Sequence, residues 1–299
     1  MSAALGLVAF LLIAPDFVLP ALALLLIVSG PSTFREWWWI AASAVWTMYS
    51  LGRVGLFEQT QLALGVLVAG AFVVTMMRGP RGAFSGALRA LLLGAVALTG
   101  WGLWLGIGWQ DVKQAFLREL WGMARLMIHP EFYDGALPSG PSWQSIGEQI
   151  ATQAGGGVLV MPGILALVAV GGLVMAWSWY HRISRHPIGQ PLGKLADFRF
   201  NDQLVWGVVV GLGIMILPAP APLRELAGNV TLFFGGLFAV RGLAVTRTWL
   251  TQAPGPLLLF MALSLIFIAP VALGGLLSLG LADTWLDFRR RMTPPTVEG

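Results

Sequence analysis

The sequence predicts an all-α integral membrane protein, a polytopic bundle of transmembrane helices. Of its 299 residues, 57% are hydrophobic and only 11% are charged, whereas charged residues make up about 25% of an average soluble domain. The mean hydropathy is +0.78, and apolar runs of roughly 20 residues, the length of a membrane helix, recur along the chain. These runs are continuous, whereas the strands of a membrane β-barrel alternate, so the pattern indicates helices.

About eight membrane segments are predicted from the length of the apolar runs. Two long runs at the ends are broken by proline: 3–29 contains Pro15 next to Asp16, and 256–286 contains Pro270. Each of these two runs is either a kinked helix or a hairpin of two short helices. Six further runs predict full crossings: 37–51, 61–77, 84–106, 158–180, 203–217 and 228–250.

The stretch 110–156 is the one long polar part between the predicted crossings. Apolar residues at helical spacing in its first half predict an amphipathic helix that lies on the membrane surface or caps the bundle: Val112, Phe116, Leu120, Met123 and Met127. We expect a second short surface helix at 143–154. The predicted organisation is one integral membrane domain over 1–291, with 110–156 as an extracytoplasmic insertion, followed by a disordered tail, 292–299.

Basic residues predict how the chain is oriented in the membrane. With alternating crossings, one side receives most of the arginines that lie in short loops, and the positive-inside rule makes this side cytoplasmic. The basic residues on that side are Arg35, Arg78, Arg81, Arg182, Arg185, Lys194, Arg199 and Arg247. They account for much of the net charge of +4, so we expect a lipid bilayer rather than nucleic acid around the protein. The expected location is a cytoplasmic membrane, which the chain crosses several times.

Three segments of the C-terminal third carry a family resemblance. They are Phe198-Arg-Phe-Asn-Asp-Gln-Leu-Val-Trp206, Asn229-Val-Thr-Leu-Phe-Phe-Gly-Gly-Leu-Phe-Ala-Val-Arg-Gly-Leu-Ala-Val245 and Leu279-Gly-Leu-Ala-Asp-Thr-Trp-Leu-Asp-Phe-Arg-Arg290. With the hydropathy of the whole chain, they resemble the YybS-like family of bacterial multi-pass membrane proteins. That family distantly resembles the substrate-binding S-components of energy-coupling-factor transporters. The resemblance implies a solute-binding or transport-related role. Because the chain has no nucleotide-binding P-loop, the implied partners are an ATPase module and a coupling membrane subunit.

Few ionisable or amide side chains lie in the apolar runs, and such groups are candidates for function because lipid penalises them. Arg241 would pair with an anionic ligand or a buried carboxylate, or would extend to the lipid headgroups. Asn229 would bind a solute or cap its helix, and Asp16 would line the same pocket or lie at a hairpin tip. Three tryptophans are membrane-interface anchors or a stacking surface for an aromatic ligand: Trp101, Trp104 and Trp109.

The C-terminal end of the last apolar run offers a second kind of site. Asp283 and Asp287 are one helical turn apart and precede three consecutive basic residues, Arg289, Arg290 and Arg291. They form either an ion-pair cluster at a helix end or a surface on which a partner docks. If they form a docking surface, the chain is a structural or regulatory subunit of another membrane complex.

Several classes of chemistry are not expected. The chain has no cysteine, which excludes disulfides and thiolate sites. Its histidines, His129, His181 and His186, are not spaced to share one helical face, so no metal site is predicted. No nucleophile elbow or HExxH sequence is present. We therefore expect a protein that is not an enzyme and holds no cofactor.

Glycine pairs such as Gly207 and Gly211 predict close helix packing.

Overall fold

The computed structural model of the chain describes residues 2–53, 55–79, 82–128, 143–193, 195, 198–250 and 269–288. Within these ranges the regular structure is helical and no β-strand occurs, which confirms the all-α prediction. The chain divides into two compact units, Met1–Leu192 and Gly193–Gly299. The single membrane domain over 1–291 stays a prediction, and the predicted tail 292–299 lies outside the described residues.

The helices are numbered in chain order over the described residues. The first unit contains α1 (Ser2–Ile13), α2 (Pro15–Ser29), α3 (Phe34–Leu51), α4 (Leu56–Met77), α5 (Ala83–Leu105), α6 (Trp109–Ile128) and α7 (Trp143–Ile183). The second unit contains a 3-10 turn (Asp202–Leu204), α8 (Val205–Ile216), α9 (Ala221–Leu250) and α10 (Ala269–Leu286).

Four helices among the described residues are long and apolar enough to cross a membrane: Leu56–Met77, Ala83–Leu105, Gly155–Ile183 and Ala221–Arg247. The predicted count of about eight segments is not confirmed. The run 203–217 yields α8 with 12 residues, or about 18 Å of helix, which is less than the roughly 30 Å of a hydrocarbon core. The run 37–51 lies within α3, which is not among the four. Residues 251–268 lie outside the described ranges, so the predicted hairpin at Pro270 stays a prediction.

The first apolar run is broken between α1 and α2. Ala14 adopts φ −149° and ψ 58°, and α2 begins with Pro15 in its first turn. Proline suits a first turn because it lacks the N–H that would go unbonded there, whereas Pro20 is accommodated inside α2. Phe10 and Phe17, on either side of the break, both pack against consecutive glycines of α7. The break therefore places Asp16 in the first turn of a new helix.

Helix α6 caps one end of the first unit. Val112 and Ala115 are buried in one cluster with Phe57 of α4 and Met161 of α7, and Phe116 packs against this cluster. The predicted helix is therefore present, and the apolar residues in its first half pack against α4 and α7, which removes them from water. Whether it also lies on the membrane surface stays a prediction.

Helix α7 begins earlier than predicted. We expected a separate short helix at 143–154, but this segment is continuous with the membrane run, and α7 has 41 residues. At 1.5 Å per residue its length is about 60 Å, roughly twice the hydrocarbon thickness. The three glycines 155–157 do not end the helix, because glycine weakens a helix by only about 1 kcal/mol per residue.

The opposite end of the first unit is held by Glu36, at the start of α3. Thr33 and Glu36 form a capping box. The Glu36 carboxylate accepts hydrogen bonds from the backbone N–H groups of Ser32 and Thr33, both at 2.7 Å, and from that of Arg185 at 2.8 Å. Burial raises the pKa of Glu36, but the hydrogen bonds from Arg185, Ser32 and Thr33 outweigh it and lower the pKa from 4.5 to about 2.

Arg35 adds a second link between the same two helices. Its guanidinium donates to the carbonyl of Arg182 at 3.0 Å and to that of Ile183 at 2.6 Å. These carbonyls belong to the last turn of α7, where no backbone donor follows. Arg35 and Glu36 thus satisfy the end of α7 and the start of α3 together.

Helix packing in the second unit depends on glycine, as the sequence predicted. A Cβ atom on Gly207 would overlap the Phe234 ring, and one on Gly211 would overlap the Thr231 hydroxyl, so α8 packs closely on α9. A Cβ atom on Gly242 would overlap the carbonyl of Leu276 in α10. The backbones of α9 and α10 therefore touch at this crossing.

Candidate functional site

Buried polar side chains define the candidate sites, because an ionised group in an apolar interior requires a partner. Among the described residues the buried polar or charged side chains are Asp16, Glu36, Ser43, Ser50, Arg241 and Asp283. Glu36 belongs to the junction of α3 and α7. The remaining charges form two separate sites, one in each unit.

The first site is centred on Asp16, which is 2% exposed. The indole Nε1–H of Trp46 donates to Oδ1 of Asp16 at 2.7 Å, and the hydroxyl of Ser50 donates to the same oxygen at 3.3 Å. Nη1 of Arg53 lies 3.7 Å from the other carboxylate oxygen, Oδ2. The Arg53 side chain is 26% exposed, so it is the part of this site that water reaches.

Local structure explains why these groups converge. Trp46 and Ser50 are four residues apart on α3, so they share one face of that helix, and Arg53 follows the helix end. A Cβ atom on Gly65 of α4 would overlap the Asp16 carbonyl. The absence of a side chain at Gly65 therefore lets α4 approach the first turn of α2.

The Arg53 guanidinium also lies over two aromatic rings. Its Cζ atom is 5.1 Å from the centre of the Trp46 ring and 5.5 Å from that of Tyr49. The two ring centres are 5.7 Å apart and the rings are tilted by 49°, so both rings contact the same guanidinium. A carboxylate and two aromatic faces are the groups that bind a cation, and here the cation is part of the chain itself.

Two further carboxylates act on the same region. Burial raises the pKa of Glu119 on α6, the negative charge of Glu58 on α4 raises it further, and the positive charge of Arg53 lowers it. Arg53 therefore pairs with Asp16 of α2 and also acts electrostatically on Glu119 of α6.

The second site is centred on Arg241 of α9. Its Nε donates to Oδ2 of Asp283 at 2.9 Å, and its Nη2 donates to the Asp283 carbonyl at 3.2 Å. Its Nη1 lies 2.5 Å from Oδ1 of Asp202, and its Cζ is 5.6 Å from the centre of the Phe200 ring. Of the alternatives for Arg241, pairing with a buried carboxylate is therefore confirmed, and extension to the headgroups is wrong.

The helix crossing in the second unit positions this arginine. Arg241 precedes Gly242, and Asp283 lies one turn after Gly280, where a Cβ atom would overlap the Phe238 carbonyl. The close approach brings the short side chain of Asp283 within reach of the guanidinium. Asp202 approaches from the 3-10 turn and is 59% exposed, whereas the Asp283 side chain is fully buried.

The two predicted docking aspartates occupy different ion pairs. Asp283 pairs with Arg241, and Asp287 pairs with Arg199 at 2.5 Å on the surface. The basic residues predicted beside them, Arg289, Arg290 and Arg291, lie outside the described residues. The cluster of aspartates is thus an ion-pair network that ties 199–202 to α9 and α10, and a role in docking stays a prediction.

Asn229 does not cap its helix. Helix α9 begins at Ala221, with Pro222 in its first turn, so Asn229 lies two turns inside it. Its side-chain Nδ2 donates to the carbonyl of Glu225 at 2.8 Å. The predicted run begins at 228, whereas the helix begins seven residues earlier, because proline is compatible with a first turn. Solute binding by Asn229 stays a prediction.

The three predicted tryptophans lie at the surface of the first unit. Trp104 is 82% exposed and Trp101 is 45% exposed on α5, as expected of membrane-interface anchors. Trp109 begins α6 and lies under the Lys113 ammonium, 5.6 Å from ring centre to Nζ. A stacking role for these rings stays a prediction.

Sequence reasoning missed the partners of Asp16 and Arg241. In the sequence, Trp46 lies within the apolar run 37–51, and Arg53 lies between two predicted crossings without a motif around it. Asp202 and Phe200 were quoted within a motif without a role. The spacing Trp46, Ser50, Arg53 was a usable signal, since it places two donors and a cation at one helix end.

Comparison with protein-family models, curated proteins and solved structures found no match to this chain. Among the described residues, no group of three or more histidine, aspartate or glutamate side chains is arranged to hold a metal ion.

Proposed function

We propose that the chain is a solute-binding, transport-related membrane protein of the bacterial inner membrane, with its ligand site at Asp16, and that it is not an enzyme. The observation that supports this proposal is a carboxylate buried at an interruption between two apolar helices. Interrupted membrane helices place substrate and ion sites in many transporters. An ionisable residue inside a membrane segment is by default a functional candidate.

The geometry of Asp16 suits a site with one closed and one open side. Trp46 and Ser50 hold Oδ1 from the protein interior, whereas Oδ2 faces the partly exposed Arg53. A solute would therefore enter from the Arg53 side. By the predicted orientation, this side is extracytoplasmic.

The proposed transport role requires partner subunits. The chain lacks a P-loop, so movement of a solute against a gradient needs energy from elsewhere. The resemblance to S-components points to an ATPase module and a coupling membrane subunit. A protein of this kind binds the solute, and its partners supply the energy.

A second candidate is a non-catalytic structural or regulatory subunit of another membrane complex. The ion-pair network of the second unit favours it, because Arg241 has both of its carboxylate partners within the chain. Ion pairs within the chain hold the helices together and leave less charge for a solute. On this alternative, Asp16 would likewise serve only to join α2 and α3.

The test compares three forms of the full chain, purified gently into nanodiscs: wild type, Asp16→Asn and Asp111→Asn. Asp111 is an exposed acceptor on α6, so its variant removes one negative charge without removing any group that contacts Asp16. Native mass spectrometry should find a small molecule on the wild type and on Asp111→Asn, and should find it lost from Asp16→Asn. Co-purification of an ATPase module would support the partner assignment.

Two other results would contradict the proposed ligand site or the proposed role. A wild-type chain that carries only lipid or an unrelated membrane complex would favour the structural subunit. A solute that stays bound to Asp16→Asn would show that the ligand site lies elsewhere.

A further inference from the structure

We propose that the site at Asp16 takes an organic cation with a guanidinium or alkylammonium group, and that Arg53 occupies the site as a tethered substitute when it is empty. This inference rests on the proposed function, which it deepens by naming the class of ligand. The juxtaposition that supports it is a buried carboxylate beside two tilted aromatic rings, with a guanidinium between them.

The contacts of Arg53 define what the site recognises. The guanidinium is within 3.7 Å of the Asp16 carboxylate and lies over both Trp46 and Tyr49. Cation–π attraction acts on a charged group over a ring face, and is stronger where water is partly excluded. A free cation placed between these groups would make the same contacts that Arg53 makes now.

The Arg53 guanidinium is exchangeable because it lies 3.7 Å from Asp16, beyond hydrogen-bond distance, while its backbone is held by hydrogen bonds. Its N–H bonds to the carbonyl of Ser50 at 3.2 Å, and its own carbonyl accepts from Gln59 at 3.3 Å. The side chain is partly exposed and follows Gly52, in the connection between α3 and α4. Glu58 and Glu119 supply negative charge nearby, so a displaced guanidinium would remain neutralised.

The charges of the region favour a cation over an anion. Asp16, Glu58 and Glu119 together carry up to three negative charges against the single positive charge of Arg53. When an external cation replaces Arg53 beside Asp16, the buried carboxylate keeps a partner throughout. Removal of that partner without replacement would leave an uncompensated buried charge, which proteins rarely tolerate.

The experiment removes the tethered cation and supplies a free one. The full chain with Arg53→Ala is reconstituted in nanodiscs and titrated with methylguanidinium chloride, by calorimetry and by thermal unfolding. We expect saturable binding that raises the Tm of Arg53→Ala. Wild type should bind at least about tenfold more weakly, because its own arginine competes at a millimolar effective concentration.

Controls separate charge, shape and site. Urea has the planar shape of guanidinium without its charge, so it should not bind. The double variant Asp16→Asn with Arg53→Ala should lose binding. Tyr49→Leu in the Arg53→Ala background should weaken binding about threefold to tenfold through the lost ring. Trp38→Leu, which removes an exposed tryptophan near the start of α3, should leave binding unchanged.

Two results would overturn the inference. One is the absence of saturable methylguanidinium binding to both Arg53→Ala and Arg53→Gln, the second variant guarding against misfolding of the first. The other is equal binding of urea. If either occurs while a solute still co-purifies with wild type and not with Asp16→Asn, the proposed function stands and only the ligand class is wrong.

Discussion

At the scale of single residues, the protein places its buried charges among partners of its own chain. Glu36 is stabilised by backbone N–H groups, Asp16 by an indole, a hydroxyl and a guanidinium, and Arg241 by two carboxylates. The three environments differ in access. Glu36 and Arg241 are almost fully enclosed, whereas the Asp16 carboxylate is paired with the partly exposed side chain of Arg53.

The low pKa of Glu36 predicts that the stability of the protein depends on pH. Its folded pKa of about 2 lies below the ordinary 4.5, so its stabilising contribution is complete above pH 4.5 and is lost as the pH falls from 4.5 towards 2. Glu36→Gln should lower stability at neutral pH by about 1.5–3 kcal/mol, the value of hydrogen bonds to a charged group. Thermal unfolding in detergent from pH 3 to 7 measures both effects.

The control for Glu36 is Asp111→Asn, which removes an exposed carboxylate. The difference in Tm between wild type and Glu36→Gln should shrink as the pH falls through this window, and Asp111→Asn should run parallel to wild type. A difference that is constant with pH would contradict the assignment of the low pKa to Glu36.

At the scale of helices, the decisive features are a break and a crossing. The break between α1 and α2 turns Asp16 into a first-turn residue, and the crossing of α9 and α10 turns Arg241 and Asp283 into neighbours. In both places the backbone comes close to another helix at a glycine. These contacts hold the two candidate sites in position.

The crossing of α9 and α10 gives a matched pair of glycine substitutions. Gly242→Ala would push a methyl group into the Leu276 carbonyl, whereas Gly274 on α10 has open space around its Cα. We expect Gly242→Ala to destabilise the protein by about 1–3 kcal/mol, as overpacking does. Gly274→Ala should be neutral or stabilising by up to about 1 kcal/mol, since alanine favours helix. Chemical unfolding in mixed micelles measures both changes.

Equal effects of the two substitutions would show that helix propensity, and not backbone contact, dominates at Gly242. If only Gly242→Ala destabilises the protein, the Arg241 ion pairs lie beside a helix crossing that does not adjust to an added methyl group. The Arg241 ion pairs would then depend on Gly242, although this glycine takes no part in them.

At the scale of the whole chain, the first unit has two chemically different ends. One end holds Arg35, Arg182 and Arg185 where α3 begins and α7 finishes. The other end holds Asp16 and Arg53, near the α6 cap. By the positive-inside rule we expect the arginine-rich end to face the cytoplasm and the candidate ligand site to face the opposite side.

Cysteine labelling tests this orientation, because the chain contains no cysteine of its own. Gln114→Cys lies on the exposed face of α6, and His186→Cys lies after the end of α7, where it is exposed. A maleimide that does not cross membranes should label Gln114→Cys in intact cells with the outer membrane permeabilised, and should label His186→Cys only after lysis. The reverse labelling pattern would show that the predicted orientation is inverted and that the Asp16 site faces the cytoplasm.

The sequence by itself determined the class of protein and most helix positions. A chain with 57% hydrophobic residues and continuous apolar runs has to satisfy its backbone internally, and helices do so without any tertiary information. The amphipathic pattern around Val112 and Phe116 likewise predicted a helix on the membrane surface or capping the bundle, because periodicity alone shows which face is apolar. Helix boundaries were less certain: α7 begins at Trp143 and α9 at Ala221, since glycine and first-turn proline are compatible with helix.

Only the tertiary structure decided which charges meet. Asp16 is 30 residues from Trp46 and 37 from Arg53, and Arg241 is 42 residues from Asp283. No local rule of spacing reaches across such distances, because the pairing depends on which helix faces touch. Those faces are set by glycine contacts and by the break at Ala14, which are properties of packing. The sequence named Asp16 and Arg241 as costly in lipid, and the fold supplied the partners that make each of them tolerable.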